Sequence, residues 1–198
     1  MSLTIPNLAY YYALRAIARQ QVANSINERV TRYGGDRHAG RLTLCSINRE
    51  AIDYARLEWP RYYGDDTHHG FTYSWETLLR KFAARPSFFD LAVWQQIDGG
   101  PVLQGLALGK PSNGKGHLTL NWIERSFAPT YLRGGVLLPI LACAEEYAKL
   151  LGCERVLIKE PIDPEKFERY GYRAYQLPKV RHSNYLCKEL EHDIGNRQ

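Results

Sequence analysis

The chain has 198 residues, 44% hydrophobic and 24% charged, with a net charge of +5; that is the make-up of one folded domain, with or without an appendage, and not of a disordered or fibrous chain. No apolar run reaches the ~20 residues a bilayer span needs, and the opening MSLTIPNLAYYYALRAIARQQ lacks the basic-then-apolar order of a secretory leader, so a cytoplasmic protein without membrane contact is expected. Cys45, Cys143, Cys153 and Cys187 form no CxxC pair and have no zinc spacing with the six histidines, which points to buried free thiols and no metal.

Leu8, Tyr11, Tyr12, Ile17, Val22, Ile26 and Val30 recur at helical spacing and predict a helix over 7–33, stopped by Gly34-Gly35. Residues 41–47 alternate as a strand, and Asn48 is placed to cap a helix over 49–60 that Pro60 ends. GDDTHHG, 64–70, is loop. Ser74 is placed to cap the next helix, through 84, with Glu76 near its positive end. The period then changes. Residues 90–97, 102–109 and 117–127 read as three strands of an antiparallel meander, joined by Asp98-Gly99-Gly100 and by the loop 111–116.

A long amphipathic helix over 136–151 follows, with Leu137, Ile140, Leu141, Ala144, Tyr147, Ala148 and Leu151 on one face and Gly152 as its stop. Residues 154–159 form a strand. Asp163 is placed to cap a short helix with Pro164 at its first position, and Gly171 ends it. Residues 172–176 and 184–188 read as a final hairpin. The expected fold is α/β (α+β), a single mixed, mostly antiparallel sheet flanked by helices, with an extra N-terminal helix.

Charge is uneven. Residues 1–64 hold nine Arg and no Lys against five acids, which is either a footprint for an acidic partner such as RNA or a plain solvated surface. Asp65, Asp66, His68 and His69 share one loop, read as solvated in preference to a divalent-metal site, with its two acids able to attract a cationic amine.

Three stretches carry a resemblance. Phe127-Ala128-Pro129 leads to Arg133-Gly134-Gly135-Val136 and Leu137-Leu138; Ala144 to Gly152 reads AEEYAKLLG; and Phe167 to Tyr172 reads FERYGY. In this order and spacing they resemble the GNAT superfamily of acyl-CoA-dependent N-acyltransferases over residues 41–190, leaving 1–40 as an N-terminal helical extension and 191–198 as a tail. The resemblance implies acyl transfer from acetyl-CoA, or a longer acyl-CoA, to an amine on a small molecule or a protein. It implies that the strands over 117–127 and 154–159 part to admit the pantetheine arm. Ser126, Phe127, Ala128, Arg133, Gly134, Gly135 and Val136 would then hold the cofactor, with backbone N–H groups near Ser126–Ala128 receiving the oxyanion and the turn at the helix start receiving the pyrophosphate.

The chain departs from the family at two places. The arginine-glycine loop is two residues short, with Pro139 removing an N–H from the helix start. Phe167 stands where the family often has a tyrosine that protonates the leaving thiolate, and Phe has no proton to give. Tyr170, Tyr172 and Tyr175 lie near it, Tyr170 being the candidate carried forward. Glu124 is the first candidate base, on a strand beside the expected cleft; His117, Glu160, Asp163 and His182 are the others. Two alternatives stand beside the enzyme: a catalytically inactive GNAT-fold module that binds a protein or forms a homodimer through the first helix, and a basic nucleic-acid-binding protein.

Overall fold

The computed structural model describes residues 8–33, 40–63, 73–97, 100–130, 132, 135–178 and 183–191. Its elements run α1 (Leu8–Tyr33), β1 (Leu42–Cys45), α2 (Arg49–Glu58) with a 3-10 turn (Trp59–Tyr62), α3 (Trp75–Ala83), β2 (Phe89–Ile97), β3 (Gly100–Pro111), β4 (His117–Arg125), α4 (Leu137–Leu151), β5 (Arg155–Lys159), α5 (Glu165–Glu168), β6 (Arg173–Tyr175) and β7 (Tyr185–Glu189). The seven strands form one sheet in the order β1-β2-β3-β4-β5-β7-β6. Only β4 and β5 pair in parallel; the other neighbours are antiparallel.

Local chemistry sets several boundaries. Asn48 Oδ1 accepts the Ala51 N–H at 2.9 Å and Ser74 Oγ accepts the Thr77 N–H at 3.3 Å, so both expected caps start their helices. Gly152, at φ 78, closes α4, with its own N–H turned back to Lys149 O and that of Cys153 to Ala148 O. Asp163 does not act as a side-chain cap: Pro164 occupies the cap position of α5, and the Asp163 carboxylate pairs with Lys166 instead.

Both faces of the sheet are covered. In β2, Phe89, Leu91 and Val93 point to one core cluster, and Ala92 and Trp94 to the other, as the two-residue period of a strand requires. The first cluster lies under α1 and α4, and the second under α2, the 3-10 turn and α3.

The buried side of α1 differs from the expected apolar stripe. Tyr11, Arg15, Ala18, Arg19, Val22 and Ala23 face inward, while Leu8, Tyr12 and Ile17 are exposed. Arg19 reaches Asp90 Oδ1 on β2 at 2.7 Å and Arg15 lies 3.4 Å from the same oxygen. The second oxygen of Asp90 accepts the Ile47 N–H at 2.8 Å. Two cations share one carboxylate, so an excess positive charge is buried. Carbonyl oxygens of Pro86, Phe88 and Asp90 accept from the guanidinium groups and offset it. Two of the early arginines therefore fasten α1 to the sheet of the same chain.

Candidate active site

The site grows from a change of pairing along β4. Its N-terminal half pairs with β5 from His117↔Arg155 to Leu120↔Ile158, and there the ladder stops. β4 continues to Arg125 and stays paired with β3 up to Gly105↔Arg125. The parting coincides with a bulge: Leu108 faces Trp122 and Gly109 faces Leu120, which leaves Asn121 as the extra residue. Asn121 Oδ1 is buried with no hydrogen-bond partner among the described residues. Ser126 donates its N–H to Gln104 O at 2.8 Å, on the β3 side. Alternation along a strand then turns the N–H groups of Ile123 and Arg125 to the opposite, open edge.

Beyond the bulge, the Glu124 side chain enters a groove of about 750 Å³ between α2, the 3-10 turn, α3 and β4. Trp59, Tyr63, Tyr73 and Trp75 give it aromatic walls, and Ile52 and Leu79 add apolar surface. The Trp59 indole N–H is fixed to Leu103 O at 2.9 Å. The Trp75 indole N–H donates to Glu124 Oε2, which orients the carboxylate. Burial, and secondarily the nearby Glu124 charge, push the Tyr63 hydroxyl up to about 12, so it stays protonated at neutral pH. Arg49 and Arg56, also in the lining, both lie near Asp53, at 3.5 and 3.1 Å.

The loop after β4 is tied down by the sheet. Gln104 Nε2 donates to Pro129 O at 3.0 Å, and Thr130 Oγ1 donates to Gln95 Oε1 at 3.1 Å. Ser126 Oγ accepts the Ala128 N–H at 2.9 Å. Of the N–H groups expected at Ser126–Ala128, those of Ser126 and Ala128 are thus engaged within the chain. The Phe127 ring is 44% exposed and lies between the Arg125 guanidinium and the Tyr63 ring. Gly135 turns at φ 71, and Val136 precedes α4 without a side-chain cap. Val136 packs so close to β3 that a Cβ on Gly105 would meet its Cγ1 at 2.5 Å. Pro139 is third in α4 and buried, so Leu137 and Leu138 carry the first-turn N–H groups. Arg133, Gly134 and His182, and the loop holding Asp65, Asp66, His68 and His69, lie outside the described residues.

The two catalytic candidates sit on different faces. Glu124 points into the α2/α3 groove, whereas Tyr170 is half-buried against the α1/α4 cluster. Phe167 is buried in that cluster, edge-on to Tyr172. Tyr172 is fully buried and donates to Glu145, itself held by Lys188 at 2.7 Å; burial first and Glu145 second raise its pKa well above the usual value. The Tyr175 hydroxyl on β6 accepts from Arg155 on β5 at 3.2 Å, across β7. His117 is at the far end of β4 from Glu124, and Glu160 bonds Ser183. All four cysteines are free, and burial pushes the thiols of Cys143 to about 12 and of Cys153 and Cys187 to about 11, so they are poor nucleophiles. Among the described residues no group of His, Cys, Asp and Glu is placed to hold a metal ion, and no helix is long and apolar enough to cross a membrane.

Sequence reasoning singled out Glu124 as a candidate but did not foresee the residues around it. Trp75 was locatable as the first residue after the Ser74 cap, yet nothing local linked it to a strand 49 residues on. The Asn121 bulge had no sequence signal.

No protein-family model and no curated protein matches the chain. Solved structures do match. An acetyltransferase of the GNAT family from Staphylococcus aureus Mu50 has a TM-score of 0.52 at 10% identity, over 76% of this chain and 99% of its own. Ard1 from Thermoplasma volcanium has a TM-score of 0.50 at 11% identity, over 76% and 99%. At such identities the likeness is one of fold, and the fold is that of the GNAT acetyltransferases, in a divergent form.

Proposed function

We propose that this chain is an acyltransferase that moves an acetyl or longer acyl group from acyl-CoA to an amine, with Glu124 as its base. The observation that supports it most is the position of Glu124: past the point where β4 leaves β5, oriented by Trp75, at the wall of a groove large enough for an acceptor. The open β4 edge suits an extended, amide-bearing arm such as pantetheine, since it offers N–H donors beside the unpartnered Asn121 oxygen.

Acyl-CoA, when bound, supplies an activated thioester carbonyl. Glu124 attracts the cationic acceptor and takes its proton, which frees the nitrogen lone pair. The N–H groups of Ile123 and Arg125 are the donors for the carbonyl oxygen as it gains charge. Ser126, Phe127, Ala128, Arg133, Gly134, Gly135 and Val136 are assigned to the cofactor, with Val136 at the start of α4, where phosphate is favoured. Tyr170, half-buried three residues from Phe167, is assigned to the departing thiolate. Residues 41–190 are taken as the transferase domain, 1–40 as its extension and 191–198 as a tail. Four free thiols suit a reducing cytoplasm.

Thiol release from acetyl-CoA with a panel of primary amines tests the reading. Glu124→Gln should lower kcat about 100-fold or more while leaving calorimetric CoA binding unchanged. Absence of binding by both acetyl-CoA and CoA at millimolar concentration would sink it. The burial of Phe167 favours a second reading, an inactive module that self-associates through α1, where Leu8, Tyr12 and Ile17 are exposed. CoA binding without turnover, together with a sedimenting dimer lost on Tyr12→Ser, is the signature of that case.

A further inference from the structure

A second cavity, of about 310 Å³, lies at the opposite pole of the sheet, lined by Tyr11, Arg85, Ser87, Ser112, Asn113 and Lys115 among others, with no acid. It is formed by the α3–β2 connection and the β3–β4 hairpin, which Arg85 joins by donating to Asn113 Oδ1 at 3.3 Å. Glu124 lies about 23 Å up β4 from His117, from the strand rise per residue, so this pole is separate from the groove.

Its charge is one-sided. Arg80, Lys81 and Arg85 come from one segment and Lys110 and Lys115 from the other, and neither 77–89 nor 109–117 contains an acid. All are exposed or half-exposed, and none pairs with a carboxylate among the described residues. The neighbouring Glu154, whose N–H donates to Gly116 O, is held by Arg155 at 3.1 Å. His117 adds no charge at neutral pH: partial burial, then Arg155, lower its pKa below 6.5. Lys115 takes a left-handed φ of 55 although glycines flank it at 114 and 116, a backbone more natural to glycine. Lys115 lies over the Tyr11 ring at 5.3 Å and Lys110 over the half-buried Phe82 ring at 5.9 Å, while Lys81 reaches from the same helix end towards Tyr73 of the groove, at 4.1 Å.

We infer that this pole binds the phosphates of a single-stranded nucleic acid, with the Arg85–Lys115 cavity seating one phosphate. Five cations over two segments exceed what one isolated phosphate engages, and a row of cations without carboxylate partners is what tracks the backbone of a strand. The inference does not rest on acyl transfer.

The test is fluorescence anisotropy of the full chain with a labelled single-stranded RNA, its duplex, and competition by inorganic phosphate and by anionic vesicles. The doubly substituted Arg85→Gln, Lys115→Gln chain should bind the strand at least tenfold more weakly and lower the salt slope by about 1.4, two contacts at about 0.7 each. Lys149→Gln, exposed on α4, should change neither. Lys81→Gln with Lys110→Gln provides a second pair if the first fails to fold by circular dichroism. No strand binding at about 50 mM salt, binding indifferent to both pairs, or capture of phosphate or vesicles without the strand would each overturn the inference.

Discussion

On the α1/α4 face of the sheet, Arg15, Arg19 and Asp90 are sealed together, and carbonyl oxygens accept from both guanidinium groups. On the α2/α3 face, Glu124 stands at the wall of a groove, held by one indole N–H that the structure identifies. Both faces place charge against apolar neighbours. One fixes a helix; the other leaves a carboxylate on the wall of a cavity. Inaccessible charge can serve only the fold, whereas charge on a cavity wall can also do chemistry.

Asp90→Ala should break the sealed face most severely. It leaves two buried guanidinium groups without a counter-ion, which costs about 3–5 kcal/mol; urea unfolding would measure the loss, and a change below 1 kcal/mol would show that the arginines escape to solvent. Gly105→Ala probes the seam between the faces. The added methyl meets Val136 Cγ1 and the Glu124 backbone, so a loss of about 1–3 kcal/mol is expected, along with weaker CoA binding by calorimetry. Trp75→Phe leaves an aromatic wall but removes the donor to Glu124. Stability should fall by about 1 kcal/mol, since a buried ring shrinks, while kcat falls about tenfold, the scale of one hydrogen bond to a charged group.

The smallest effect is a pH dependence. Because the folded pKa of His117 is depressed, the unfolded chain takes up this proton first as pH falls below 6.5. This residue therefore withdraws stability on acidification, and His117→Gln should flatten the thermal-stability profile below pH 6.5 without altering it above.

The strands and most helices were legible because their signals are local or periodic. Asn48 and Ser74 cap helices within three residues, and the α4 stripe ends at Gly152. The α1 face was misjudged because hydrophobicity alone was counted: Arg15 and Arg19 are inward, drawn by a carboxylate more than 70 residues away. A hydrophobic pattern cannot register an ion pair whose partner lies on another element. Glu124 was picked out as a carboxylate on an apolar strand beside the expected cleft, while the groove it enters is a tertiary product of Tyr63, Tyr73 and Trp75, separate in sequence. Asp163 satisfied the residue preference of a cap but not its geometry.

The bulge at Asn121 has one more consequence. Because the extra residue is built into β4, the strands part through covalent connectivity and not through a ligand's wedge. A molecule entering between them need not break a ladder of backbone hydrogen bonds first. The ordering entropy is met when the chain folds, and association can proceed without a slow opening step.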